Sequence, residues 1–188
     1  MKAGRAWCHF TVQALFAVYM CALFKIILLK FGPADIEFMW WRLKQNVIHP
    51  EYIATRLEAG NLIPLKEISR AIEVMSGPSQ LNLLGNIAIF VPLGVFIGIL
   101  AKAGKPTLAG VFWRSLGVSL GLEIAEVLFS IGTFDVDDLI LNSAGGSIGF
   151  IVYASWTSLW RREKSDTLES TSFLGASHET NHGFNRGR

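Results

Sequence analysis

The feature that most constrains this chain is the length of its apolar runs. They extend from about Trp7 to Leu29, Leu81 to Ala101, Thr107 to Phe129 and Asp138 to Trp160. Each is about 20 residues long, the length a helix needs to cross ~30 Å of bilayer hydrocarbon. A soluble helix would show an apolar stripe at i, i+3 and i+4, which these runs lack. Hydrophobic residues make up 51% of the chain and charged ones 17%, more hydrocarbon than a 188-residue globule can hide. The expected fold class is an all-α membrane protein with about four transmembrane helices. The first run has a basic start at Lys2 and Arg5 but is too long for a signal peptide, so it reads as a retained anchor.

The expected organisation is an N-terminal anchor over 1–30, an outer link over 31–80, a three-helix core over 81–160 and a disordered cytoplasmic tail over 161–188. Basic residues set the orientation. Lys2 and Arg5 precede the first span, Lys102 and Lys105 join the second to the third, and Arg161, Arg162 and Lys164 follow the fourth. The link from Ser130 to Asp137 has no basic residue and carries Asp135 and Asp137. The positive-inside rule then places both termini in the cytoplasm, against a weaker opposite signal from Lys25 and Lys30. In the outer link, Ile36, Met39, Trp40, Leu43 and Val47 share a helical face, and Leu65, Ile68, Ile72 and Met75 repeat the pattern after Pro64. Two short amphipathic interfacial helices, anchored by Trp40 and Trp41, fit this pattern. A small outer subdomain with its own core fits it too. The tail is rich in Ser, Thr, Gly and Asn, with little to bury.

Polar groups inside a span are costly and mark candidate sites. Asn82 and Asn86 open the second span. Ser115, Ser119, Glu123 and Glu126 form one stripe of the third, and Asp138 and Asn142 lie on one face of the fourth. With the spans alternating in direction, Asn82, Asn86, Glu123, Glu126, Asp135, Asp138 and Asn142 meet at one depth near the outer face. That convergence predicts a polar pocket, with Lys66 and Arg70 as candidate partners for its acids. Interhelical hydrogen bonding alone is the plainer explanation for a single Asn, and a weaker one for a group of acids. Gly94 with Gly98, Gly117 with Gly121, and Gly145 with Gly149 are small-xxx-small pairs that favour close packing or an oligomer. Pro92 predicts a kink in the second span and a free carbonyl at Ala88.

Other chemistry is excluded or left unidentified. Cys8 and Cys21 lie ~20 Å apart along one helix, too far for a disulfide. His178 to His182 reads HExxH, but without a third ligand or an apolar face to hold a helix it is read as coincidence. A net charge of +2 does not suggest a nucleic-acid partner. No phosphate loop, nucleophile elbow or Cys/His spacing identifies a cofactor, and a metal would have to be a hard, oxygen-liganded ion such as Mg²⁺, Mn²⁺ or Ca²⁺.

The segments NLIPLKEI (61–68), NLLGNIAIFVPLG (82–94), SLGLEIAE (119–126) and DVDDLILNSAGGSIG (135–149) together resemble the VanZ-like family over about 61–160. The family's third-span motif usually reads ExxQ, where this chain has Glu123 followed by Glu126. Many members carry an Arg before the Asp cluster, where this chain has IGTFD. The family's founding member is associated with resistance to the glycopeptide teicoplanin. The resemblance implies a multi-pass protein of the bacterial cytoplasmic (inner) membrane, with lipid-linked envelope glycans as possible partners. Three functions are compatible with the residues: binding or modulating envelope glycan and lipid intermediates at the outer leaflet, carboxylate catalysis on a lipid-linked substrate, and proton-coupled transport. Four spans with few inner polar groups argue against the last.

Overall fold

A computed structural model describes residues 2–28, 36–74, 77–101 and 106–183, with the side chains of 2–6, 8 and 165–183 outside that description. All described elements are helical: α1 Lys2–Leu28, α2 Ile36–Ile48, α3 Glu51–Glu58, α4 Lys66–Val74, α5 Gly77–Leu100, α6 Leu108–Leu128 and α7 Val136–Gly183. Four helical stretches are long and apolar enough to cross a membrane: His9–Leu28, Gly77–Leu100, Leu108–Leu128 and Val136–Lys164. Backbone contacts divide the chain into two units, Met1–Ile151 and Val152–Arg188. The first holds the core and the site. In the second, the Trp156 and Trp160 rings lie 6.2 Å apart, one helical turn from each other.

The element starts follow local chemistry. α5 begins at Gly77 with Pro78 in its first turn, where a missing N–H is harmless. Thr107 caps α6, its hydroxyl oxygen accepting from the Gly110 amide at 3.1 Å. α5 is a single helix with Pro92 inside it. One turn before that proline, the Ile89 carbonyl accepts from Tyr19 Oη of α1 at 2.7 Å. α1 is therefore more than an anchor. Its Leu23 is buried in a core cluster with Phe90 and Leu93 of α5 and Leu122 of α6.

Close approach of α5 and α7 depends on glycine. A Cβ on Gly94 would overlap the Gly146 carbonyl oxygen, one on Gly145 the Ile87 carbonyl oxygen, and one on Gly149 the Val91 carbonyl oxygen. The expected Gly117 and Gly121 pair behaves differently, with nothing within 4 Å of either position. It packs no helix of this chain among the described residues.

The outer link differs from expectation in three ways. It holds three short helices rather than two, α3 having gone unanticipated because it is only 8 residues long. α4 begins at Lys66, one residue after Leu65, whose φ of 66° breaks the helical path. In α2 the apolar residues Ile36, Trp40 and Val47 are exposed, and the docked side carries the buried Asn46 with the half-buried Met39 and Leu43.

α7 runs to Gly183, so the backbone of the tail is helical where disorder was expected. An established helix extends at little cost per added residue, even without an apolar face. His178 and His182 fall on this segment, and their side chains lie outside the described residues, as do those of Cys8, Lys2 and Arg5. Lys30, Met75, Lys102 and Lys105 lie outside them altogether.

Candidate functional site: two cavities at a carboxyl and amide cluster

The turn from α6 into α7 is the centre of the site, and the outer link grips it. Asn46 Nδ2 of α2 donates to the Leu128 carbonyl at 2.6 Å and to Ser130 Oγ at 2.9 Å, which secures Ser130 at a φ of 52°. Arg56 Nη1 of α3 donates to the Gly132 carbonyl at 3.1 Å, bringing a guanidinium to the turn whose own sequence, IGTFD, has none. Asn61 pairs with the chain at Asp135 as an isolated parallel bridge: its N–H donates to the Phe134 carbonyl at 2.8 Å, and its carbonyl accepts from the Val136 N–H at 2.9 Å.

Beyond the turn, each acid has a distinct role. Asp135 Oδ1 accepts from Asn61 Nδ2 at 2.9 Å and from the Asp137 N–H at 2.8 Å. Asp137 is 1% exposed and serves a different helix from its own. Its carboxyl oxygens accept from the backbone N–H groups of Leu65, Glu67 and Ile68 at 2.5, 2.7 and 3.1 Å. It thus caps the N-terminus of α4 from across the fold, satisfying amides that have no partner within the helix. The expected pairing of these acids with Lys66 and Arg70 is replaced by this backbone cap. Arg70 instead pairs with Glu67 at 3.6 Å.

The residues expected to converge from three spans are distributed as follows. Asn86 of α5 donates through Nδ2 to Asp138 Oδ1 of α7. Glu123 of α6 is buried, and its Oε2 accepts from the Asp135 N–H at 2.8 Å. Asn142 Nδ2 donates to Ser119 Oγ at 2.8 Å. Asn82 and Glu126 also have partners.

Two cavities open on this cluster and share Asn82 and Asp138. The first, about 450 Å³, is lined by Glu67, Arg70, Asp135 and Asp137 among others and is mostly polar. The second, about 430 Å³, is mostly apolar, with Ile26 and Ile27 of α1, Leu81 and Ile89 of α5 and Leu122 of α6 beside Glu123, Glu126 and Asn142. Of the seven expected site residues, the apolar cavity takes Asn82, Asn86, Glu123, Glu126, Asp138 and Asn142; Asp135 lines the polar one. Among the described residues, no group of three His, Cys, Asp or Glu side chains is arranged to hold a metal ion.

This arrangement sits within a stretch that matches a known family. The VanZ/LLP1 family model matches residues 16–159. The chain belongs to the VanZ/LLP1 family. The match begins inside α1, so the first span belongs to the VanZ unit, as Leu23 in the core and the Tyr19 bond to α5 require. Among curated proteins, "Protein VanZ" of Enterococcus faecium is 31% identical over 89 residues, which are 46% of this chain and 53% of that protein. The match thus spans about half the length of that relative. No solved structure matches the chain.

Asn46, Arg56 and Asn61 are the positioning residues that sequence reasoning missed. Asn61 opens NLIPLKEI, one of the family-like segments, which was a usable signal. Asn46 had a fainter one, as an amide on a helix otherwise read by its apolar face.

Proposed function

We propose that this VanZ-family protein binds a lipid-linked envelope intermediate at the outer leaflet of the bacterial cytoplasmic membrane, and acts by holding or presenting it. The observation carrying this reading is the pair of cavities meeting at Asn82 and Asp138, one mostly polar and one mostly apolar. An amphiphile needs that combination: a hydrogen-bonding space for its head and a hydrocarbon-lined space for its tail. The exposed Trp40 and Trp41 on α2 support a headgroup-level position for the link that clasps the α6 to α7 turn. A link to teicoplanin susceptibility is part of the proposal and rests on family membership.

A catalytic reading draws on Glu123 and Asp138 lining one cavity, where a carboxyl pair could exchange protons with a substrate. Mass spectrometry of lipid-linked intermediates separates the two readings. Cells lacking the gene are compared with cells complemented by wild type or by Asp138→Asn. Binding predicts an unchanged lipid profile, together with one lipid class co-purifying with wild type and lost from Asp138→Asn. A single intermediate that accumulates without the gene, and stays high with the variant, would replace binding by turnover. Teicoplanin susceptibility of the same strains tests the resistance link.

A further inference from the structure

Asn142 stands out within the apolar cavity. It lines that cavity from α7 and is 4% exposed. One end of its amide is occupied, Nδ2 donating to Ser119 Oγ, but Oδ1 is buried with no hydrogen-bond partner. A hydroxyl can pair with either end of an amide, so whichever way this one is turned, one polar end stays open. Interhelical adhesion explains the end that meets Ser119 and leaves the other unexplained. A buried polar group without a partner is costly, which makes the open end a demand for a ligand atom.

The surroundings define that atom. Ile26, Ile27, Leu81, Ile89 and Leu122 provide hydrocarbon from three helices, so most of the occupant must be apolar. Two acids on the same walls already accept protein hydrogen bonds, Glu123 from the Asp135 N–H and Asp138 from Asn86. A phosphate or carboxylate placed here would meet three acids, Glu123, Glu126 and Asp138, and no Lys or Arg on the cavity walls, an unfavourable pairing. A hydroxyl carries no charge, both donates and accepts, and suits the amide in either orientation.

We infer that Asn142 seats a free hydroxyl carried next to the apolar tail of a membrane lipid, with the tail against α1, α5 and α6. This rests on the binding reading above and deepens it by naming the chemistry at the tail end of the ligand. The seat places the hydroxyl at Asn142 and the adjoining tail against the hydrocarbon of Ile26, Ile27, Leu81, Ile89 and Leu122.

The test uses the full-length protein in nanodiscs and two photoactivatable probes: a long-chain alcohol with a diazirine in its chain, and the same chain without the hydroxyl. Labelling at Ile26, Ile27, Leu81 and Ile89 is titrated for each. The alcohol should half-saturate these positions at about tenfold lower concentration than the hydrocarbon, a difference of ~1.4 kcal/mol. Asn142→Leu should bring the alcohol to the hydrocarbon's value. The comparison on wild type needs no variant, so it holds even if Asn142→Leu folds poorly. Equal titrations on wild type, or an alcohol titration unmoved in folded Asn142→Leu, would overturn the seat while leaving the cavity a lipid site. Absence of labelling by both probes would remove the seat and the binding reading together.

Discussion

Asp137 shows how one side chain can organise distant elements. Placed in the first turn of α7, it holds the amides of Leu65, Glu67 and Ile68 at the start of α4. Replacing it with Ala leaves those partly buried amides without their cap and should lower stability by on the order of 2 kcal/mol. Asp137→Asn keeps an acceptor oxygen and should lose roughly half as much. Thermal unfolding in detergent measures both, and an Ala variant as stable as wild type would refute the cap. The acid was visible in the sequence, but its partner was not, because 72 residues separate it from Leu65. Asn46 makes the same point. Its bond to Ser130 crosses 84 residues, and nothing in the local pattern of α2 marks the amide as its docking group.

Between elements, glycine decides which helices approach closely. Gly94→Ala would push α5 from the α7 backbone at Gly146 and should destabilise by about 1–3 kcal/mol. Gly117→Ala has open space around it and should be neutral, or stabilising by up to ~1 kcal/mol through helix propensity. Denaturant unfolding in mixed micelles compares the two, and equal effects would contradict the α5 and α7 contact. All three small-xxx-small pairs look alike in sequence. Only the tertiary arrangement distinguishes a glycine facing another backbone from one facing open space. The open Gly117 and Gly121 face remains a proposed contact for a second copy, which cross-linking between Gly117→Cys chains would test.

For the whole molecule, the arrangement of basic residues leads to a topology that can be measured. With Cys8 and Cys21 replaced by Ser, a cysteine at Thr133, which is exposed in the α6 to α7 turn, should react with an impermeant thiol reagent in intact cells. A cysteine at Lys102 should react only after the membrane is opened. The opposite pattern would place the carboxyl cluster, both cavities and the ligand at the cytoplasmic side.

The sequence by itself determined that this chain is helical, that four segments can cross a bilayer, and which acids and amides those segments carry. Length, apolar content and backbone hydrogen bonding in lipid allow few alternatives, and these are local properties. Tertiary structure decided that α1 belongs to the core, that the outer link clasps the α6 to α7 turn, and that the polar residues divide between two cavities. Those outcomes depend on contacts between residues far apart in the chain. A carboxyl or amide looks the same in sequence whether its partner is a backbone N–H, another side chain or a ligand.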